Sequence, residues 1–373
     1  MKIAIDLRSL SSGSISGVEN YCINLVDSLL KLDKENQYIL FYNAFSKKLL
    51  GDFHFVNSQV KHSKLPNKVL NLLFKTGMIN VEKLAGEFDL FFMPNLNQYN
   101  ILPGAKLAIT VHDLSPVITP EFYDAKRRLW HKFLNYKKAF NRADKLFAVS
   151  EYTKNDLIKV FGINEEKIKV IYPGLDHGLF NENISEEKQR QVRNEYGLPG
   201  NFFLFLSTVE PRKNLAGLIK AFEQVKSPAS LVVAGRLGWK YRKDFELIKH
   251  SKKSAKIKYI GYIKESDKPA LIKLSKALVY PSFYEGFGFQ PLEAMAIGTP
   301  VVASQVTSLP EVSNGAAFLV NPYNVGDLTA ALEAVSENES LRQSLISKGL
   351  DRAQKFTWQK AAAEVLENFK SIK

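Results

Sequence analysis

Between Tyr280 and Ala296 the chain reads Tyr-Pro-Ser-Phe-Tyr-Glu285-Gly286-Phe287-Gly288-Phe289-Gln-Pro-Leu-Glu293-Ala-Met-Ala. An apolar run ends at Tyr280, a loop carries Glu285 and two glycines, and a helical pattern starts near Phe289. Gly286 and Gly288 let the main chain approach a ligand closely, and the unpaired N–H groups of a helix start favour a phosphate. Glu293, about one turn into that helix, could accept hydrogen bonds from both vicinal hydroxyls of a ribose, leaving Glu285 nearer a sugar. Two acids at a helix start are also favourable without any ligand. The strand, glycine loop and helix around them are what make a site the stronger reading.

Other residues have similar chemistry. Arg212 and Lys213 follow the apolar run Phe202–Ser207, between a proline and an asparagine that suggest a fixed turn. Charge-assisted bonds from these two cations to a diphosphate would strengthen as it departs as a leaving group. As solvent-facing charges they would do nothing. His112 lies just past the buried run Leu107–Val111, beside Asp113. Gly17 precedes the first long helix, where its amide could meet the same diphosphate, although a glycine in such a turn is more often structural. Glu285 and Glu293 do not suit a hydrolase pair, which needs two carboxyls across one bond. No Asp-x-Asp triplet and no zinc-spaced Cys/His cluster occurs, so no metal is expected.

These residues must be held by a framework, and two strand–helix series supply one. The first has apolar runs at Lys2–Leu7, Tyr38–Tyr42, Leu90–Met93, Leu107–Val111, Leu146–Val149 and Ile168–Ile171. A loop with Gly13 and Gly17, then a helix with Tyr21, Leu25, Leu29 and Leu32, follows the first run. Ser150 reads as a helix N-cap. The second series has strands at Phe202–Ser207, Leu231–Ala234, Ile257–Ile260, Ala277–Tyr280 and Pro300–Ala303, with helices between them. Continuous apolar strands alternating with helices predict parallel sheets buried on both faces, whose ligands sit beyond the carboxyl ends of the strands. The expected domains are 1–178 and 179–356, joined through the turn-rich Pro173–Phe180, with 357–373 returning to the first. The architecture expected is α/β: two doubly wound, Rossmann-like domains facing a cleft.

Composition narrows the class. A chain of 373 residues exceeds twice a typical domain, and 45% hydrophobic with 24% charged residues is ordinary for a globular protein. The start MKIAIDLRSL is too short an apolar run for a signal peptide, and no window suits a spanning helix. Cys22 is the only cysteine, which fits a reducing cytoplasm and a buried structural thiol. The net charge of +13 suits an anionic partner, or solubility alone. Lys126–Lys145 and Lys64–Leu84 mix cations with apolar residues, so either could lie on an anionic membrane. For the former, packing of the apolar face on the domain is the preferred reading. No motif supports nucleic-acid binding.

The paired glutamates resemble the signature of the retaining glycosyltransferase family 4, whose members have the two-domain GT-B fold. The resemblance covers nearly the whole chain and implies that 1–178 binds the acceptor and 179–356 the nucleotide-sugar donor. Thr208-Val-Glu-Pro-Arg212-Lys213-Asn214 is similar to the family's phosphate-binding segment. Val232-Val-Ala-Gly235 and Ile260-Gly261-Tyr262 are similar to its next strand ends. Val170–Asp176 with Phe180, Val111–Leu114 and Val149–Thr153 match further segments. Ile5-Asp6-Leu-Arg8 with Ser16-Gly17-Val18 resembles bacterial mannosyltransferases of polysaccharide and O-antigen assembly. Their loop reads Thr-Gly-Ile-Gly-Arg-Tyr where this chain has Ser-Gly-Val-Glu19-Asn20-Tyr. Some members also have an arginine at the position of Ser207.

The resemblance implies a retaining hexosyl transfer without a cofactor or metal, from a nucleotide-sugar, first of all GDP-mannose, to a glycan or lipid-linked acceptor. It implies His112, Arg212, Lys213 and Glu285 as catalytic residues. The implied donor site is Gly17, Ile263, Glu285, Gly286, Phe287, Gly288, Phe289 and Glu293, with the Ile263 backbone on the base and His112 beside the transferred sugar. A cytoplasmic protein, touching the inner membrane face at most peripherally, is expected. Alternatives are a UDP-sugar-dependent glucosyl-, galactosyl- or N-acetylhexosaminyltransferase, a sugar-nucleotide epimerase, or a non-catalytic binder of nucleotide-sugars.

Overall fold

The computed structural model describes residues 1–11, 17–45, 51 and 53–372; Gly13 and Ser16 of the first loop lie outside the described residues. The chain forms two compact units: Met1–Leu114, Leu129–Gly174 and the chain from Phe356 onward, then Ser115–Arg128 with Leu175–Lys355.

The first unit holds β1 (Lys2–Asp6), β2 (Gln37–Asn43), β3 (Ser58–Ser63), β4 (Leu90–Met93), β5 (Lys106–Val111), β6 (Lys145–Ala148) and β7 (Ile168–Val170). They pair in the order β3-β2-β1-β4-β5-β6-β7, every pairing parallel. The second unit holds β8 (Phe202–Leu206), β9 (Ser230–Ala234), β10 (Ile257–Gly261), β11 (Ala277–Tyr280), β12 (Val301–Ser304) and β13 (Phe318–Val320). Their order is β10-β9-β8-β11-β12-β13, again parallel throughout. Each order reverses direction once, between β1 and β4 and between β8 and β11. Crevices at such reversals are where open parallel sheets bind ligands.

Burial explains why these segments are strands. β4, β8, β11 and β12 are buried at every position, as expected of parallel strands covered by helices on both faces. Phe203, Phe205, Leu231, Val233 and Val279 join one apolar cluster with Leu218, Phe222 and Leu332 from the covering helices. β3 and β13 do not appear in the sequence reading. β3 is a polar, half-exposed edge strand paired only with β2, and β13 has three residues. β3 has no apolar run to announce a strand, whereas β13 closes the five-residue apolar run Ala316–Val320, a signal that the sequence reading passed over.

The final helix, Trp358–Ser371, packs in the first unit, with Phe369 ring-to-ring on Phe92 and Phe147 at 5.2 and 6.0 Å. The chain approaches it so closely that a Cβ on Gly174 would lie 2.2 Å from the Trp358 nitrogen. Only glycine fits there. Ser115–Arg128, placed within 1–178 by the sequence reading, falls in the second unit. The reason is aromatic: Trp239 donates to the Phe122 carbonyl at 2.6 Å, stacks on Tyr123 at 5.3 Å, and carries Arg127 over its ring at 4.2 Å.

The two basic, apolar stretches also take shape. The helix Asn67–Thr76 buries Leu70 and Phe74 and leaves Leu72 57% exposed. The helix Ala125–Leu134 buries Leu134 but exposes Leu129 (69%) and Trp130. The preferred reading holds in part: Leu134 and, in the next helix, Phe140 are buried and Phe133 is half-buried, whereas Leu129 and Trp130 stay outside. Lys75 joins the two helices, donating to the Phe133 carbonyl at 2.7 Å and lying 4.7 Å from that ring's centre. Among the described residues, no helix is long and apolar enough to cross a membrane.

Candidate functional site

The reversal point of the second sheet carries the densest group of buried charges. Pro211–Lys213 form a short 3-10 turn after β8, and Asn214 closes it in the left-handed region at φ 59°. Asn214 caps the next helix by accepting from Gly217 N, and its amide donates to the Pro281 and Pro322 carbonyls at 3.1 and 2.8 Å. This fixes the turn that presents Arg212 and Lys213. Across the reversal, the loop after β11 brings Glu285 to both cations. Lys213 Nζ lies 2.5 Å from Glu285 Oε1, and an Arg212 terminal nitrogen lies 3.1 Å from Oε2.

Arg212 is pinned on its other sides. It donates to the Tyr284 carbonyl at 2.5 Å and makes bonds of 3.1 and 2.8 Å to Glu210. Lys213 also donates to the Tyr280 hydroxyl at 2.8 Å, which passes the chain on to Gln290. Thr307 and Ser308 hold the glutamate loop. Thr307, at φ 61°, accepts from the Glu285 amide, and Ser308 Oγ lies 2.9 Å from the Glu285 and Phe287 carbonyls. A threonine at positive φ stores strain, which persists only where surrounding bonds dictate it.

The electrostatics follow from this packing. Burial acts to raise Glu285, but the adjacent Arg212 and Lys213 charges overcome it and bring the carboxyl down to about 2. Burial, then Arg212, pushes the Lys213 ammonium below its ordinary value, with Glu285 and Glu210 opposing. Burial raises Glu210 despite Arg212 and Lys213. Glu285 is thus an obligate anion and Arg212 a cation held in a fixed orientation. Such preorganised charge suits a diphosphate leaving group.

Gly288, at φ 106°, caps the helix Phe289–Ala296, and a Cβ there would lie 2.7 Å from Leu309. Gly286 and Phe287 are buried in the loop, and Phe287 meets Phe289 edge-to-face at 5.3 Å. Glu293 lies inside this helix, 3% exposed, and its Oε2 has no hydrogen-bond partner in the protein. Burial raises it to about 7, against the attraction of Lys268 and with Glu265 adding to the rise. An orphaned buried oxygen is rare enough to require an explanation. Ile263 follows β10 and is buried.

Gly17 and His112 belong to the first unit. Gly17 is the exposed first residue of the helix Gly17–Leu32. His112 follows β5, its Nε2 2.8 Å from the Pro94 carbonyl and its ring edge-on to Tyr21 at 4.7 Å. Tyr21 is itself held by Thr110 at 3.2 Å. Bonding to a carbonyl puts the proton on Nε2 and leaves Nδ1 as acceptor. Desolvation lowers the His112 pKa, opposed by the Pro94 bond and by Asp113 and Glu19. The imidazole is therefore neutral at neutral pH.

The remaining expected residues all lie in the second unit, with Arg212, Lys213 and Glu285 in direct contact. Glu210 and Lys268 received no individual role from the sequence. Glu210 sits in the quoted Glu-Pro-Arg-Lys-Asn run, so a signal existed; Lys268, which lies on a different helix from Glu293, had none. Among the described residues, no group of three or more His, Cys, Asp or Glu is arranged to hold a metal ion.

Residues 15–179 match the family described as Glycosyltransferase Family 4, and residues 185–352 match Glycosyl transferases group 1. The chain is 29% identical over 267 residues to the O-antigen chain mannosyltransferase B of Escherichia coli, 70% of each chain. It is 29% identical over 272 residues to the serotype-specific mannosyltransferase WbdA of the same species, covering 71% of this chain and 33% of that longer protein. In fold, it superposes on Anabaena HepE, solved with UDP and glucose, at a TM-score of 0.75 and 20% identity over 100% of both chains. With two parallel-sheet, Rossmann-like units that its structural neighbours share, the chain belongs to the family 4 glycosyltransferases of GT-B fold and is a glycosyltransferase.

Proposed function

We propose that this glycosyltransferase moves mannose from GDP-mannose, with retention, to a hydroxyl of a glycan or lipid-linked acceptor in the assembly of a surface polysaccharide. The observation that carries the nucleotide-sugar part is Glu293, a buried carboxyl with an unused oxygen, on the helix that follows the glutamate loop of the sheet's reversal point. The mannosyl part draws on the mannosyltransferase relatives.

In this reading the ribose hydroxyls donate to Glu293, and the diphosphate lies against the start of the helix Phe289–Ala296. The Ile263 backbone meets the base. Arg212 and Lys213 neutralise the charge that grows on the diphosphate oxygen as the bond to the anomeric carbon breaks. Glu285 orients both cations and faces the sugar. His112, neutral, offers Nδ1 as an acceptor to a sugar hydroxyl. The departing diphosphate oxygen takes the proton of the acceptor hydroxyl, so no protein base is required and positioning supplies the rest.

The test is thermal stabilisation by GDP, UDP, ADP and their sugars, because a ligand bound to the native state raises its stability. At a hundredfold excess over the dissociation constant, GDP should stabilise by roughly 3 kcal/mol. A UDP response with none to GDP would refute the donor assignment and favour the UDP-sugar reading.

The acceptor proposal extends to a membrane. Leu72 and Leu129 are exposed on two helices that also carry exposed Lys68, Lys75 and Lys132 and that Lys75 links, and this mixed apolar and cationic character suits the interface of an anionic bilayer. Vesicles containing phosphatidylglycerol should co-sediment the protein, and pure phosphatidylcholine should not. Leu72→Asp with Leu129→Asp should weaken that binding at least about tenfold. Equal binding of the variant and the wild type would sink this part alone.

A further inference from the structure

Three aromatic rings from separate segments of the second unit form a run beside the glutamate loop. Phe283, which precedes Tyr284 and Glu285, stacks on Phe122 with centroids 5.4 Å apart and planes at 9°. It also stacks on Tyr323 at 4.9 Å and 29°. Phe283 is tied to the charged turn, its amide donating to the Arg212 carbonyl at 2.9 Å.

Tyr323 sits between β13 and the helix Val325–Glu337, on a turn that is fixed on both sides. Its amide donates to Asn321 Oδ1 at 3.0 Å, and the neighbouring Pro322 carbonyl accepts from the buried Asn214 amide at 2.8 Å. The same amide reaches the Pro281 carbonyl at 3.1 Å. Asn214 therefore connects the turn that carries Tyr323 to the loop that carries Phe283, and it adjoins Lys213. The ring at the end of this network is nevertheless 71% exposed.

A flat, electron-rich face held rigidly in water is suited to a particular chemistry. The C–H face of a pyranose ring is apolar and slightly positive, so it stacks on an aromatic face while its hydroxyls stay solvated. Because the turn is already ordered, little entropy is lost when a sugar docks. Stacking reads the ring face rather than individual hydroxyls, so it would hold successive residues of a chain without demanding one sugar at that position.

We propose that Tyr323, backed by Phe283 and Phe122, is a glycan-binding platform that holds a pyranose of the acceptor chain away from the reacting hydroxyl. This rests on the reading above only in taking the acceptor to be a glycan. The platform engages the acceptor, so Tyr323 is a binding residue that leaves donor recognition unchanged.

The test is electrophoresis of the native protein through gels containing mannan, dextran or galactan, beside Tyr323→Ala and Tyr323→Phe. GDP and UDP thermal stabilisation of the same three proteins serves as the independent measure of the donor site. Retardation of the wild type by at least one polysaccharide is expected, weakened about tenfold in Tyr323→Ala and retained in Tyr323→Phe. Absence of retardation in all three gels, or equal retardation of Tyr323→Ala, overturns the platform. Loss of nucleotide stabilisation in every protein, with Tyr323-dependent retardation intact, overturns the donor reading and leaves the platform standing.

Discussion

Glu293→Gln is expected to be more stable than the wild type at pH 8, by roughly 3 kcal/mol in the absence of nucleotide, with the advantage gone near pH 4.5. The wild-type carboxyl is raised from 4.5 to about 7. Between those values the folded protein holds a proton that the unfolded chain has lost. The stability this provides is complete below 4.5 and is lost as pH rises through 7, where a buried carboxylate must ionise. Glutamine never ionises, so it escapes that loss. Lys268 and Glu265 are the charges that bear on Glu293; Lys268 itself is raised and stays cationic throughout this range.

The variant should bind nucleotide less tightly, because it replaces one carboxylate oxygen with a donor. Wild-type affinity should rise as pH passes 7, when the ionised form can accept two ribose hydroxyls. Melting temperature measured against pH for both proteins, with and without nucleotide, checks both halves. A constant difference from pH 4.5 to 8 would contradict burial as the cause, and unchanged nucleotide affinity would remove Glu293 from the ribose.

Lys213→Ala should lower the transfer rate by about 10²–10³-fold, the range found when one preorganised donor to a developing anion is removed. It should also destabilise the protein by about 3–5 kcal/mol, because Glu285 keeps its burial and loses its shortest ion pair. Lys213→Ala combined with Glu285→Ala separates these effects. With neither partner stranded, much of the stability should return, while Arg212 remains held by Glu210 and the Tyr284 carbonyl. Activity should not return. Initial transfer rates and unfolding midpoints of the single and double variants provide the comparison. A double variant that regains activity along with stability would make the pair a structural element only.

The legibility of the fold varied with how strongly each element was buried. β4 and β11 run over the residues that the apolar pattern indicated, since both are wholly buried. β3, with the polar sequence Ser-Gln-Val-Lys-His-Ser, is a strand because β2 offers it an edge. Its hydrogen bonds come from a partner, and local pattern does not contain the partner. The same holds for Ser115–Arg128, whose place in the second unit depends on Trp239, more than a hundred residues away.

The site divides along the same line. Residue type, spacing and family resemblance were enough to nominate Arg212, Lys213, Glu285 and Glu293, because strand–loop–helix units of this kind are local and their glycines and prolines are written in order. How the two glutamates differ was decided only by tertiary packing. Glu285 lies against two cations brought from the end of β8 and is held ionised, whereas Glu293 lies in a helix with Lys268 as its one attracting cation and is pushed toward its neutral form. Charge state depends on through-space neighbours and on exclusion of water, and both are set when the strands take their order in the sheet. By itself the sequence determined which acids and bases the protein has to work with; the tertiary structure decided which of them carry charge, and therefore what each can do.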